Sequence, residues 1–435
     1  MAYYINFRTR AYKAHVGPGF YRIKEMNARK LFWILFLLNL FNYIDRQVLF
    51  SVFPLIQQEL QVTDFQLGTL ASVFMLVYMC YAPVVGFFAD RHPRQYWIAA
   101  SAMLWSAATF LSGWAKNYAS LLTARAFIGV GEGGFTTIAQ PFLAEQYPKN
   151  KRATVLAYFA LALPAGSALG YLIGAAAGAA WGWRVAFMLV GAPGFALGLL
   201  ACWQVKDREH RRLDNRKKPG LGQYLLLLQN KPFLFLCFAH AMQTFVLGGL
   251  SAWMPTYFHR FFEMGVGTAG TVFGAVVIAG GALGTFIGGR LADWLLKKTD
   301  HAYFAVILAS FVLFIPFAGA GILSHRTPFS LITFFVAITL IFLPLGPISA
   351  ALVALSGRKV RSMAFAFNIF LIHALGDALS PALIGRMSDA VGLKMAVLAC
   401  VGILLPGGLF VYLAAKYARA EGRLIRYYAQ DSLAE

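Results

Sequence analysis

The chain has 435 residues, of which 59% are hydrophobic and 13% are charged, and it carries a formal net charge of +20. Soluble domains average roughly 25% charged residues, so this composition excludes an ordinary soluble domain and indicates an integral membrane protein. Most basic residues stand in short segments between apolar runs, which membrane orientation explains better than nucleic-acid binding. The four cysteines lack metal-ligand spacing. We therefore expect no nucleic-acid partner and no metal site.

The first 30 residues alternate basic and aromatic side chains and lack the apolar core of a cleavable signal. This stretch is predicted to be a cytoplasmic N-terminal arm. It either lies on the lipid surface or forms a tail without fixed structure.

Twelve apolar runs of membrane-spanning length follow the arm. The predicted spans 1 to 12 lie near residues 31–55, 67–88, 95–115, 119–143, 154–178, 185–204, 232–258, 267–291, 302–323, 328–354, 362–386 and 394–416. Residues 31–204 form an N-terminal six-span half and 232–416 a C-terminal half. A cytoplasmic linker at 205–231 joins the halves, and a cytoplasmic tail follows at 417–435. The predicted fold is an all-α membrane protein.

Basic residues are distributed unevenly between the two sides of the predicted spans. With the N-terminus inside, the inner segments carry 30 Lys and Arg residues and the outer loops carry six. This asymmetry predicts that both termini are cytoplasmic. The compact chain favours a bacterial inner membrane, in which we expect a multi-pass monomer.

Two spans carry charged groups at their centres, where charge is expensive and therefore indicates function. Asn42, Asp45 and Arg46 lie in span 1, and Arg125 and Glu132 lie in span 4. Arg125 and Glu132 are seven residues apart, so they share a helix face about 10.5 Å apart along the axis. Asp45 and Arg46 are adjacent and point roughly 100° apart, so we expect them to have different partners.

The two halves contain related motifs. Span 2 ends in GFFADR, from Gly86 through Asp90 and Arg91, and span 8 ends in GRLAD, from Gly289 to Asp293. Repeats of this kind are typical of transporters that bind substrate near the midplane, between the halves.

These motifs resemble the major facilitator superfamily across all twelve spans. The signature between spans 2 and 3 has Gly86, Asp90, Arg91 and Arg94, with Pro93 where the family usually has glycine. The run Asn42–Arg46 (NYIDR), together with Gly129–Glu132 (GVGE), resembles the spinster branch, whose members carry lysolipids and sphingolipids. NYIDR also occurs in organic anion symporters, so GVGE is the more specific run.

The resemblance implies that spans 1 and 4 line one side of a central cavity. Asp45 and Glu132 are then the predicted proton carriers, because a carboxyl group gains a proton readily in a poorly hydrated cavity and loses it readily beside arginine. Arg46 is the predicted ligand of an anionic headgroup. The predicted substrate-binding set is Asn42, Tyr43, Arg46 and Arg125. Alternatively, the four charges form a permanent ion-pair network that orients the helices.

A second set of residues is predicted to act as a conformational latch at the cytoplasmic ends of the spans. A helix-end aspartate there can pair with arginine or accept from a helix N-terminus. The latch set is Gly86, Asp90, Arg91, Arg94, Glu145 and Arg152, with Gly289, Asp293 and Arg361 in the second half. The alternative is a solvated loop whose exposed pairs contribute little.

Span 11 contains His373 and Asp377, which lie one turn apart on one face, and span 7 contains His240. A proton relay through His373 and Asp377 is one interpretation. The other is a satisfied buried pair, with His240 bonded to a carbonyl group.

Together these features predict a proton-coupled secondary transporter that moves amphiphilic lipids by alternating access. The alternatives are an organic anion symporter and a multidrug exporter of the same superfamily. Spans 7 and 10 lack a mid-span Arg or Lys, which favours an amphiphile over a small anion. No catalytic motif occurs in the spans, so we expect no enzyme and no cofactor, with the proton as coupling ion.

Overall fold

The described part of the chain is almost wholly helical. The computed structural model describes residues 18–89, 92–205, 227–356 and 361–420, and no strand occurs within these ranges. In lipid, a helix satisfies its backbone groups internally, so apolar segments of this length fold as helices. The first six spans comprise the helices Pro18–Ser51 and Phe53–Leu60 (span 1), Asp64–Ala89 (span 2), Arg94–Ser112 (span 3), Tyr118–Glu145 (span 4), Lys149–Ala160 and Ala162–Trp181 (span 5), and Trp183–Gln204 (span 6).

The second half repeats this arrangement. Its helices are Lys231–Phe261 (span 7), Val266–Leu296 (span 8), Ala302–Leu323 (span 9), Thr327–Phe342 and Leu345–Leu355 (span 10), Arg361–Ile372 and Ser380–Val391 (span 11), and Leu393–Gly402 and Leu404–Ala420 (span 12). Within the described ranges, nine helical segments are long and apolar enough to cross a membrane. Spans 1, 3 and 4 are not among these nine. These three spans supply the buried charged site described below.

The helix boundaries differ from the predicted ones mainly at the two ends of span 1. Its first helix begins at Pro18, well before the predicted start at Leu31, and its second ends at Leu60 rather than near residue 55. Residues 1–17, 206–226 and 421–435 lie outside the described residues. These residues include much of the predicted arm, linker and tail, so the cytoplasmic position of these three segments stays a prediction.

Span 11 is interrupted at its centre by one wide turn. The segment His373–Asp377 is a π-helix, and Gly376 within it has non-helical backbone angles (φ −101°, ψ −107°). A π-helical turn inserts an extra residue into a helix and is often found at functional sites. The sequence gives no proline at this point, so the interruption is not predictable from local composition.

Glycines let span 5 approach span 1 closely. A Cβ added at Gly166 would lie 2.6 Å from the carbonyl oxygen of Leu40, and one at Gly170 would lie 2.5 Å from that of Ile44. Small residues at such crossings allow the backbones of membrane helices to touch. This packing fixes the position of span 1, on which Asp45 and Arg46 lie.

The two halves meet along spans 2 and 11, spans 5 and 8, and spans 1 and 7. The Tyr171 hydroxyl of span 5 donates to the Ser251 carbonyl of span 7 at 2.7 Å. At the span 2–span 11 crossing, Gly68 packs against the backbone of Pro381. We call the end of the bundle that contains residues 57–64 and 260 the outer end, and the opposite end the inner end, following the predicted orientation. The named contacts between the halves lie toward the outer end and the centre.

Candidate functional site

Two ion pairs join spans 1 and 4 inside the N-terminal half. Arg46 Nε lies 2.6 Å from Glu132 Oε2, and Arg125 Nη1 lies 3.7 Å from Asp45 Oδ1. We call these four residues the charged cluster. The Arg46 side chain is 15% exposed, whereas the other three are at most 1% exposed. Arg46 is therefore the member of the charged cluster that a ligand can reach.

The GVGE run places Glu132 by letting span 4 approach two neighbouring spans. A Cβ on Gly129 would lie 2.5 Å from the carbonyl oxygen of Phe74 in span 2. A Cβ on Gly131 would lie 2.6 Å from the backbone nitrogen of Trp105 in span 3. The two glycines thus serve different interfaces. Glu132, the residue that follows them, is directed at Arg46 of span 1.

Asp45 has a second partner in span 3. The Thr109 hydroxyl is hydrogen-bonded to Asp45 Oδ2, and both side chains are buried. Since Asp45 and Arg125 are 3.7 Å apart, their contact is an ion pair without a direct hydrogen bond. Thr109 therefore provides the direct hydrogen bond to this carboxylate. The sequence did not indicate Thr109, because hydroxyl residues are common in spanning helices and bond to their own backbone.

Replacement of Thr109 by valine is expected to lower the free energy of unfolding by about 1–3 kcal/mol, the cost of leaving a buried polar group unpaired. Valine keeps the shape of threonine and removes only the hydroxyl group. Thermal unfolding of the purified protein measures the effect. Thr109→Ser, which keeps the hydroxyl, is the control and should remain close to the wild type. An equal loss in both variants would contradict this role of the hydroxyl.

Three aromatic rings surround the Arg46 guanidinium. Its Cζ atom lies 5.2 Å from the ring centroid of Tyr43 and 5.1 Å from those of Phe74 and Tyr78. Rings at this distance attract a cation through their π faces. A 2.7 Å hydrogen bond between the Tyr78 hydroxyl and Thr136 Oγ1 holds the Tyr78 ring in place. These rings orient Arg46 and provide apolar surface beside its charge.

Several polar atoms beside Arg46 have no partner among the described protein groups. Both amide atoms of Asn42 and the Oε1 atom of Glu132 are buried and make no hydrogen bond within that part of the chain. Asn42 lies one helical turn from Arg46, so the two share a face of span 1. Buried polar groups are nearly always satisfied, so their clustering indicates a place where a polar ligand or water binds.

The C-terminal half brings a histidine–aspartate pair close to this place. His373 Nδ1 lies 2.9 Å from Asp377 Oδ1, and each side chain is 21% exposed. The His373 ring centroid lies 6.1 Å from that of Tyr78 in the N-terminal half. Tyr78 therefore contacts both Arg46 and His373 from its position in span 2. The sequence did not indicate Tyr78 as a site residue.

His240 has a different partner from the one the sequence suggested. One of the two interpretations of the sequence predicts a bond from His240 to a carbonyl group. In the structure, His240 Nδ1 lies 3.2 Å from Oδ1 and 3.1 Å from Nδ2 of Asn368 in span 11. The partner is thus a side-chain amide, which can donate to or accept from the imidazole.

A separate polar network joins the two halves at the outer end. Arg260 of span 7 donates two hydrogen bonds to Asp64 of span 2, at 2.6 and 2.7 Å, and a third to Gln57 at 2.7 Å. The carboxylate of Asp389 in span 11 accepts from the backbone N–H groups of Asp64 and Phe65, both at 2.9 Å. Asp389 thus caps the first turn of span 2 from the other half. We call Gln57, Asp64, Arg260 and Asp389 the outer network.

The predicted latch residues are only partly described. Asp90 and Arg91 lie outside the described residues, and so does the side chain of Arg361. Among the remaining latch residues, Gly86 lies beside Thr137, and Arg94 Nη2 lies 2.6 Å from Glu145 Oε2. Arg152 Nε donates to the Tyr147 carbonyl. Gly289 and the exposed Asp293 lie in span 8. The Arg94–Glu145 pair joins spans 3 and 4 within one half. The latch role stays a prediction.

Comparison with known sequences identifies relatives of nearly full length. The sequence profile of the Major Facilitator Superfamily matches residues 35–381. The sphingosine-1-phosphate transporter SPNS2 of Danio rerio is 30% identical, over 87% of this chain and 82% of that protein. Protein spinster homolog 1 of Xenopus laevis is 27% identical, over 92% of this chain and 83% of that protein.

Solved structures with the same fold include transporters of different kinds. A bacterial homologue of the human lysosomal transporter Spinster, in an inward-facing and unoccupied conformation, superposes with a TM-score of 0.83 at 21% identity. It covers 92% of this chain and 98% of that one. The nucleoside transporter NupG superposes with a TM-score of 0.72 at 11% identity, over 88% of this chain and 98% of that one.

Proposed function

The chain belongs to the Major Facilitator Superfamily and to its spinster branch, and from this premise we propose that it is a proton-coupled transporter of amphiphilic lipids. The substrate class is a lysophospholipid or a sphingolipid-like molecule, moved by alternating access. The observation that carries the proposal is the accessible Arg46, paired with buried Glu132 and surrounded by aromatic rings. The sphingosine-1-phosphate relatives support a lipid with an anionic headgroup.

Arg46 is suited to bind that headgroup. A guanidinium group offers several donors in one plane and can bind a phosphate with two hydrogen bonds. Glu132 already accepts from Arg46 Nε at 2.6 Å. A phosphate and an ionised Glu132 therefore compete for the same cation. A proton on Glu132 weakens its attraction for Arg46, so proton uptake and headgroup binding favour each other.

The position of the contacts between the halves supports alternating access. The outer network closes the outer end through Asp64, Arg260 and Asp389. A substrate in the cavity can leave on that side only after these bonds break. The halves then rock about the central contacts, as in transporters built from related repeats. We place both termini on the cytoplasmic side of a bacterial inner membrane and propose a monomer as the functional unit.

A small organic anion is the weaker candidate for the substrate. In the described parts of spans 7 to 12, Lys and Arg side chains occur only near the ends of the spans. The described part of the C-terminal half therefore offers no mid-span Lys or Arg to bind the second negative charge of a small dianion. An amphiphile needs one cation for its headgroup and apolar surface for its chain. Arg46 is such a cation, and the rings around it provide part of the apolar surface.

Proton movement in proteoliposomes tests the proposal. We expect a lysophospholipid to drive proton flux with the wild type and Glu132→Gln or Asp45→Asn to reduce that flux at least about tenfold, a barrier change near 1.4 kcal/mol. A pH-sensitive dye inside the vesicles reports the flux. Exposed Asp300 supplies the matched control, Asp300→Asn. Flux with a sugar acid alone would indicate the organic anion branch, and unchanged lipid transport in both variants would indicate a permanent ion-pair network.

A further inference from the structure

Asp377 is the carboxylate at the centre of span 11, and its partner is a histidine rather than a lysine or an arginine. Its two oxygens lie 2.9 and 3.1 Å from His373 Nδ1. In the part of the chain that the structure describes, no Lys or Arg pairs with it. The histidine donates from one ring nitrogen, and a carboxylate has two oxygens with several acceptor positions, so Asp377 can accept further hydrogen bonds.

The carboxylate at the end of the π-helical turn is partly exposed. Asp377 is the last residue of the turn, and both it and His373 remain about one-fifth exposed. Across the turn, Gly248 of span 7 packs so closely that an added Cβ would lie 2.7 Å from Asp377 Cβ. Span 7 therefore supports the backbone behind Asp377.

Tyr78 contacts both Arg46 and His373, the histidine that is hydrogen-bonded to Asp377. Its ring centroid lies 5.1 Å from Arg46 Cζ and 6.1 Å from the His373 ring centroid. Arg46 Cζ and the His373 ring are thus within about 11 Å of each other. In a phosphoethanolamine headgroup the amine nitrogen is four bonds from the phosphorus atom, so a phosphate on Arg46 leaves the amine free to extend toward His373 and Asp377.

We propose that Asp377 binds the ammonium group of a zwitterionic headgroup whose phosphate binds Arg46. This inference rests on the proposed function and narrows its substrate class to lysolipids or sphingoid phosphates with a primary amine. Buried charges are stable when each one is paired. A zwitterion brings an anion to Arg46 and a cation to Asp377, whereas a headgroup that carries only a phosphate brings no cation to Asp377.

The carboxylate also discriminates between kinds of ammonium group. A primary ammonium has three N–H donors and forms charge-assisted hydrogen bonds with a carboxylate. A trimethylammonium group has no donor and is recognised best by aromatic faces. His373 already donates to the carboxylate, so it positions Asp377 rather than binding the amine itself.

Uptake of two lysolipids with the same acyl chain tests this assignment. Lysophosphatidylethanolamine carries a primary amine, and lysophosphatidylglycerol carries hydroxyl groups in its place. In proteoliposomes, we expect Asp377→Asn to raise the KM for the amine lipid about tenfold, as loss of a charge-assisted hydrogen bond predicts. The KM for the glycerol lipid should change less than about twofold, since a hydroxyl group brings no positive charge to Asp377 and can also donate to asparagine. Asp377→Glu keeps the charge and should retain the preference for the amine.

The control variant is Asp300→Asn, which removes an exposed carboxylate of the same half. Equal losses for both lipids in Asp377→Asn would show a structural role and overturn the assignment. An unchanged KM for the amine lipid would overturn it as well. If the wild type transports the glycerol lipid but not the amine lipid, the assignment fails while the proposed function stands. If it transports neither, the proposed function fails too.

Discussion

Replacement of Arg46 by alanine is expected to abolish lysolipid transport and to lower the free energy of unfolding by about 3–5 kcal/mol, the typical cost of breaking a buried ion pair. Glu132 is fully buried and loses its 2.6 Å partner. The three rings around the guanidinium lose their cation at the same time. Arg46 forms the ion pair with Glu132 and is also the proposed ligand of the headgroup. Its removal therefore decreases stability and transport together.

A double variant separates the two effects. Arg46→Gln with Glu132→Gln removes both charges and leaves two amides that can bond to each other. We expect this variant to recover most of the stability and none of the transport. Thermal unfolding and lysolipid uptake into vesicles are the measurements. Arg184→Ala is the control, because its pair with Glu59 is more exposed, at 33% and 51%, and such pairs contribute less than about 1 kcal/mol. Lysolipid transport by the double variant would contradict headgroup binding by Arg46.

Replacement of Arg260 by alanine is expected to open the outer end. The change removes two hydrogen bonds to Asp64 and one to Gln57, all between the halves. Hydrogen bonds to charged groups are worth about 1.5–3 kcal/mol, so the equilibrium between closed and open forms should shift at least about tenfold. Spin labels at exposed Gln58 and His325, in a variant with its four cysteines replaced by serine, measure the distance across the outer end.

The chain offers a matched control at the same end of the bundle. Arg184 pairs with Glu59 and also donates to the Ala115 carbonyl at 2.9 Å, but all three residues belong to the N-terminal half. Arg184→Ala removes one cation from the outer end without removing a bond between the halves. A similar distance change in both variants would indicate a general effect of charge. A change in Arg260→Ala alone would identify the outer network as the closure.

The sequence was sufficient to find the charged cluster but not its internal pairing. Helical spacing put Arg125 and Glu132 on one face and turned Asp45 away from Arg46. The structure pairs Arg46 with Glu132 and Arg125 with Asp45, and this depends on how spans 1 and 4 are rotated toward each other. Thr109 came from a third span, and nothing local distinguished it from other hydroxyl residues.

The outer network was missed for a different reason. Asp64 and Asp389 are 325 residues apart, and their contact depends on the crossing of spans 2 and 11. In the sequence, Asp389 ends the run GRMSD at 385–389, which resembles the GFFAD run of span 2 only weakly. The sequence predicts a helix-capping aspartate at the inner end, whereas the structure shows Asp389 in this role at the outer end. Pairing between halves therefore needs the tertiary arrangement, whereas the number of spans and the fold class came from hydropathy and motifs.

The composition of the charged cluster also determines how a membrane voltage acts on it. Two arginines and two ionised carboxylates sum to zero, so an electric field does no net work on the cluster when it changes its access from one side to the other. One bound proton gives it a single positive charge, and a voltage of 100 mV across the membrane then contributes about 2.3 kcal/mol if that charge crosses the whole field. A zwitterionic lipid adds no net charge to this balance. Within the charged cluster, the voltage would thus act on the form that carries a proton and not on the form without one.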